Sequence, residues 1–218
     1  MKTIVLLSFL LAGFIGCSSL EKNTKSNAVQ LVINGMHGTG YYLTIKNKNY
    51  IITNAHVCFG SIYSDVLLGR IYVRPNAKFH YQAQNIKYST PLKGLKINVF
   101  YDLCLIPTKK GDHFPLAESK VGEKIFYHTF TKRGLAITKK GVVLSNEMRN
   151  LIIRTPKISF VHKEAIHLST KTVPGESGSV VFNEKKEVVG VIFANRTIGN
   201  SRPSGFMVSA KHILKLVQ

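Results

Sequence analysis

Residues 172–182 read Thr172-Val173-Pro174-Gly175-Glu176-Ser177-Gly178-Ser179-Val180-Val181-Phe182. A serine stands between two glycines, one two residues upstream and one directly after it, and an apolar β-type run follows at once. Gly175 lets the backbone turn sharply, so the amides of Gly175 and Ser177 can point at one spot. Gly178 leaves room for a substrate beside the serine oxygen. Convergent amides of this kind stabilise a developing oxyanion, and losing one donor costs about 10²–10³ in rate. The stretch suits a nucleophile, although an ordinary Gly/Ser turn before a strand has the same local look.

A serine nucleophile needs a base, and the base needs an orienting carboxylate. The aspartates are Asp65, Asp102 and Asp112, and the histidines are His37, His56, His80, His113, His128, His162, His167 and His212. Two of these groups have marked surroundings. His56 follows the apolar run Tyr50-Ile51-Ile52-Thr53 at a small-residue turn, Asn54-Ala55, and Asp102 heads the run Leu103-Cys104-Leu105-Ile106. Polar groups at the ends of rigid elements are what a preorganised site requires. The order His, Asp, Ser also excludes others. No Asp follows Ser177, as an α/β-hydrolase with an aspartate would need, and none precedes His56, as a subtilisin-like order would need.

Thr53-Asn54-Ala55-His56, Asp102-Leu103-Cys104-Leu105-Ile106 and Gly175-Glu176-Ser177-Gly178-Ser179 resemble the histidine, aspartate and serine motifs of the chymotrypsin-like (trypsin-fold) serine peptidases, in that family's order. The resemblance spans about residues 28 to 217. It implies an all-β fold of two six-stranded antiparallel β-barrels with a short C-terminal helix. The short-strand spacing agrees. Strands are expected at 29–33, 41–46, 50–53, 71–73, 82–88 and 102–107 in a first barrel, residues 28–110. Those expected in the second, residues 111–218, lie at 124–130, 134–144, 151–154, 164–168, 179–182, 187–194 and 205–209, before a helix over 210–217. Residues 54–60 are expected to form a helical turn carrying His56, and 108–123 to cross between the barrels.

The first sixteen residues read as a signal peptide: Lys2, then an apolar run from Ile4 to Ile15 that is too short for a usual membrane span. Phe14-Ile15-Gly16-Cys17 resembles a bacterial lipoprotein box, in which Cys17 is diacylated and becomes the mature N-terminus. A plain secretory signal with an incidental Cys17 is the alternative. Residues 17–27 are then a polar, lipid-anchored tether. Ser18 after the cysteine leans toward the outer membrane, facing the periplasm, if the cell is Gram-negative. The formal net charge is +19, spread in doublets such as Lys139-Lys140 without a nucleic-acid motif. Such a surface is either simply solvated or attracted to anionic lipid and acidic partners. Nucleic acid is not an expected partner, and a monomer is expected. Cys58 and Cys104 each lie two residues past a candidate site group, and a secreted compartment allows a disulfide. The expectation is nevertheless a free Cys104 thiol packed inside the first barrel.

The resemblance assigns roles. His56 takes the proton from Ser177 and returns it to the leaving group, Asp102 holds the imidazole, and the Gly175 and Ser177 amides form the oxyanion hole. No metal or cofactor is implied. Lys171, Thr172, Ile192 and Gly205 fall where the specificity pocket is expected, and a lysine there favours acidic side chains, with small or apolar ones as the alternative. The chain also departs from the family. No Ile-Val-Gly-Gly-like N-terminus exists to neutralise Glu176, so a buried Glu176 needs another partner. Lys171, the nearest cation in sequence, is a candidate. Ser179 stands where glycine is usual. A catalytically inactive, protease-like binding lipoprotein is the alternative function, and a basic envelope protein acting on membranes without chemistry is a third.

Overall fold

A computed structural model describes residues 24–33, 35–59, 78–91, 94–154, 159–196 and 204–218. The signal segment, Cys17 and the strand expected at 71–73 lie outside the described residues.

The first half is built on strands β1 (Ala28–Ile33), β2 (Met36–Ile45), β3 (Lys48–Thr53), β4 (Lys78–Ala83), β5 (Ile86–Pro91), β6 (Lys96–Asn98), β7 (Leu103–Pro107) and β8 (Asp112–His113). Their order is β5-β4-β1-β2-β3-β7-β6, with β8 alongside β2. Among the described residues this is an open, eight-stranded half-barrel rather than six strands closed on themselves. The span expected to be one strand, 82–88, is a hairpin instead. Gln84 and Asn85 take positive φ, 49° and 66°, and join β4 to β5. Positive φ at both central residues is what a tight two-residue hairpin demands, and Asn accepts it at modest cost. Without a glycine there, the turn left little trace in the sequence.

The second half closes as a six-stranded barrel in the order β10-β11-β14-β13-β12-β9. Its strands are β9 (Lys124–Phe130), β10 (Ala136–Arg154), β11 (Ser159–Leu168), β12 (Val180–Asn183), β13 (Val188–Arg196) and β14 (Ser204–Ser209). The two strands expected at 134–144 and 151–154 are one continuous β10, paired with β9 at its start and β11 at its end. Two short helices complete the chain: α1 (Ala55–Phe59), with His56 in its first turn, and the C-terminal α2 (Lys211–Leu216).

Period-2 alternation sends one row of each strand inward. Inside the second barrel Tyr127, Val143, Leu168, Val181, Val189, Ile192 and Met207 pack together. The halves meet on aromatic rings: Phe182 lies 5.2 Å from both Tyr41 and Phe114, and Phe126 stacks on it at 5.6 Å. Rings at these separations add attraction beyond the area they bury.

Two boundaries move. Asp112 and His113 pair in parallel with Leu43 and Thr44, so the first half runs beyond residue 110. Thr24 and Asn27, expected in a tether, are buried. The Tyr41 hydroxyl donates to the Thr24 carbonyl at 2.6 Å, the Thr24 hydroxyl is bonded to His128 Nε2 at 2.8 Å, and the Asn27 amide donates to the Asp112 carboxylate. The docked chain therefore begins by Thr24.

Candidate active site

β3 ends at Thr53 and β7 begins at Leu103, and these strands are hydrogen-bonded neighbours. The residues following one and preceding the other therefore meet. Asp102 sits at φ +51°, a left-handed conformation that Asp tolerates better than most residues. That backbone turns its carbonyl toward the Asn54 side-chain amide (2.9 Å) and the Ala55 amide (3.2 Å). Its carboxylate accepts from the His56 backbone amide at 2.8 Å and lies 2.6 Å from His56 Nδ1. A carboxylate can only accept, so Nδ1 carries the hydrogen and Nε2 is the basic nitrogen. Burial pushes His56 downward, but the charge and hydrogen bond of Asp102 outweigh it and hold the imidazole above its ordinary value. Asp102 is nearly sealed, at 3% side-chain exposure, while His56 keeps 25%.

Cys58 and Cys104, each two residues beyond a member of this pair, form a disulfide with a Cα–Cα distance of 6.6 Å. This corrects the expectation of a free Cys104 thiol. One turn of α1 carries Cys58 inward, beside Val57 and Ile106 in the core of the first half, and the bridge ties the His56 helix to the Asp102 strand.

The serine loop, 173–179, docks against the end of β3 that leads into His56 and against the start of β2. Gly175 (φ +100°) and Gly178 (φ +90°) both need glycine. A Cβ at Gly175 would lie 2.7 Å from the Lys132 amide nitrogen, and one at Gly178 would lie 2.0 Å from the Thr39 carbonyl oxygen and 2.2 Å from Thr53 Oγ1. Gly178, next to Ser177, thus rests on Thr53, three residues before His56. The Ser177 carbonyl accepts from the Thr39 amide at 2.8 Å, and Gly178 N–H donates to Ile192. Ser177 itself is half-buried. Among the described residues, the Gly175 and Ser177 amides donate no hydrogen bond, whereas those of Glu176, Gly178 and Ser179 do. Ser179, where glycine was the usual residue, has its own use: its hydroxyl and amide both donate to the Glu176 carbonyl, at 2.7 and 3.1 Å.

Glu176 is fully buried, and its partner is Lys139. Lys139 Nζ lies 2.6 Å from Oε1, a charge contact rather than an aligned hydrogen bond, and donates to the Lys171 carbonyl at 2.7 Å. Oε2 accepts from the Val173 amide at 3.1 Å and more weakly from the Tyr127 hydroxyl at 3.4 Å. The candidate pairing of Glu176 with Lys171 is therefore corrected. Lys171 contributes a backbone carbonyl while its side chain is exposed. Lys139 reaches the carboxylate because it lies directly across from Tyr127 in the β9–β10 register, on the inward row.

Of the pocket residues, Thr172 and Gly205 come together. Thr172 is buried, its methyl would be 2.6 Å from a Cβ on Gly205, and the Gly205 amide donates to Thr170. Ile192 is buried in the interior of the second barrel, packed with Met207 and its neighbours.

An open half-barrel carrying a His–Asp pair, facing a closed barrel that presents a serine on a glycine-framed loop, defines the chymotrypsin-type fold. A model of the trypsin-like peptidase domain matches residues 38–191, more than half of the chain, and the protein belongs to that family. Solved structures share the fold. The protease domain of MamO from Magnetospirillum magneticum is 15% identical with a TM-score of 0.60, over 89% of this chain and 97% of that one. The active form of the Rv3671c protease from M. tuberculosis is 14% identical with a TM-score of 0.63, over 91% and 82%. Deg5 is 17% identical with a TM-score of 0.61, over 91% and 90%.

Proposed function

We propose that this protein is a serine endopeptidase working through His56, Asp102 and Ser177 and an acyl-enzyme intermediate, held at the bacterial envelope by lipid on Cys17. His56 Nε2 takes the Ser177 hydroxyl proton as Oγ attacks the peptide carbonyl. The amides of Gly175 and Ser177 receive the oxyanion. His56 then gives the proton to the leaving amine, and water repeats the cycle on the ester. The observation that carries the reading is the pairing of a raised, Asp102-bound His56 with a serine loop whose two unspent amides are the ones this chemistry needs.

Purified protein should react with a fluorophosphonate probe and cleave a denatured protein substrate. Ser177→Ala should lose both while melting like wild type, and Asp102→Asn should slow turnover by about 10⁴. Unchanged turnover in Ser177→Ala would end the proposal. Anchoring is tested separately: Cys17→Ser should release the protein into a soluble envelope fraction. A mature N-terminus shown by mass spectrometry to carry no lipid would remove that part.

A further inference from the structure

Thr39 lies in the first half, between Gly38 and Gly40 on β2, and is fully buried. Most of its bonds reach the second half. Its hydroxyl donates to the Gly175 carbonyl at 2.9 Å and accepts from the Phe130 amide at 3.0 Å. Thr129 Oγ1 is 3.1 Å away. A hydroxyl has one hydrogen, and Thr39's is committed to Gly175, so Thr129 is the donor in that contact. The Thr39 amide donates to the Ser177 carbonyl at 2.8 Å, and the Thr39 carbonyl accepts from the Thr53 hydroxyl at 2.9 Å.

One residue therefore grips the carbonyls of the two residues whose amides are candidates for the oxyanion hole. Glu176, between them, is held from the opposite side through Lys139 and Val173. The Gly175 carbonyl lies in the peptide plane that joins Gly175 to Glu176, and the Ser177 carbonyl in the plane that joins Ser177 to Gly178. Thr39 thus fixes the plane that follows each candidate amide, while Ser179 holds the Glu176 carbonyl in the plane between them. The backbone part of this grip survives any substitution at residue 39 except proline; the hydroxyl part survives only where a hydroxyl is kept. We propose that the Thr39 hydroxyl is a positioning group for the oxyanion hole, acting through the Gly175 carbonyl and touching no substrate. This rests on the peptidase reading above.

The test compares wild type, Thr39→Val, Thr39→Ser and Thr129→Val. Each is read for kcat, KM, fluorophosphonate labelling rate and thermal melting, with rates expressed per folded molecule. Valine has threonine's shape without its hydrogen. Thr39→Val should lower kcat and the labelling rate by about 10- to 100-fold with KM within about threefold, less than the loss of a whole oxyanion donor. Thr39→Ser should restore both rates to within about threefold. Thr129→Val removes a buried hydroxyl of the same cluster but leaves Gly175 held, so it should cost stability and not rate. A Thr39→Val variant that turns over and labels within twofold of wild type overturns the proposal, as does an equal rate loss in Thr129→Val. Should Thr39→Val not fold, Thr39→Ala is read by the same criteria. A wild-type protein that neither labels nor cleaves would instead overturn the peptidase reading, and this inference with it.

Discussion

Lys139→Met tests the buried ion pair behind the serine loop. Glu176 has no exposure, and the Lys139 side chain keeps 23%. Removing the ammonium leaves a buried carboxylate with one good donor, the Val173 amide, and one long one, the Tyr127 hydroxyl. Breaking a buried pair by deleting one partner costs about 3–5 kcal/mol. Lys139 is partly wet and Val173 remains, so the cost is discounted to about 2–4 kcal/mol. For a chain of this size each kcal/mol moves Tm by about 2–4 °C, giving a fall of roughly 5–15 °C. The Lys139→Met/Glu176→Gln double variant removes the stranded charge and should recover part of the loss, a coupling that a double-mutant cycle isolates. Lys171→Met, at an exposed side chain, should stay within about 0.5 kcal/mol. Melting followed by circular dichroism reads all of these. If Lys139→Met melts with wild type while Lys171→Met falls, the pairing drawn here is wrong.

Other outcomes follow from the same geometry. His56 is held above its ordinary value of 6.5, and the base must be neutral, so the acidic limb of kcat/KM should have its midpoint above 6.5. The pair's stabilising contribution is fully present below the unfolded value and is lost as pH rises through the raised folded one; a midpoint at or below 6.5 would contradict the pairing. Cys58 and Cys104 are 46 residues apart in sequence, so their replacement by alanine should cost about 2–5 kcal/mol, and reductant should lower the wild-type Tm but not that of the variant.

His56, Asp102 and Ser177 stand out in the sequence because each lies at the end or the approach of an apolar strand among small residues, and such places have few uses. Lys139 was hidden by its type, since lysines are read as surface, and the Lys139-Lys140 doublet encouraged that. The signal was in the phase of β10: Val143 is buried inside the barrel, so positions 141 and 139 share its inward row, while Lys140 is exposed. Ile192 follows the same rule: its strand phase turns it to the barrel interior beside Met207. The disulfide runs against the expectation of a free Cys104 because cysteine spacing does not say which way each thiol points, and for Cys58 that depends on the single turn of α1.

The two parts of the site differ in what holds them. His56 and Asp102 are joined entirely within the first half, by Asn54, Ala55 and the Cys58–Cys104 bridge. The serine loop belongs to both halves. Lys139 and Tyr127 hold Glu176 from the second barrel, while Thr39 holds Gly175 and Ser177 from the first. The strand that leaves the loop, β12, runs directly to Phe182, the ring that packs on Tyr41 and Phe114 across the junction. Packing at that junction and alignment of the serine are thus one structural event. Gly178 sets the tolerance: with the Thr39 carbonyl and Thr53 hydroxyl already where a Cβ would stand, the halves approach closely enough to bring the Ser177 backbone against the His56 turn. His56 and Asp102 can be ordered by the first half alone, but the serine loop takes its shape only when the halves are docked.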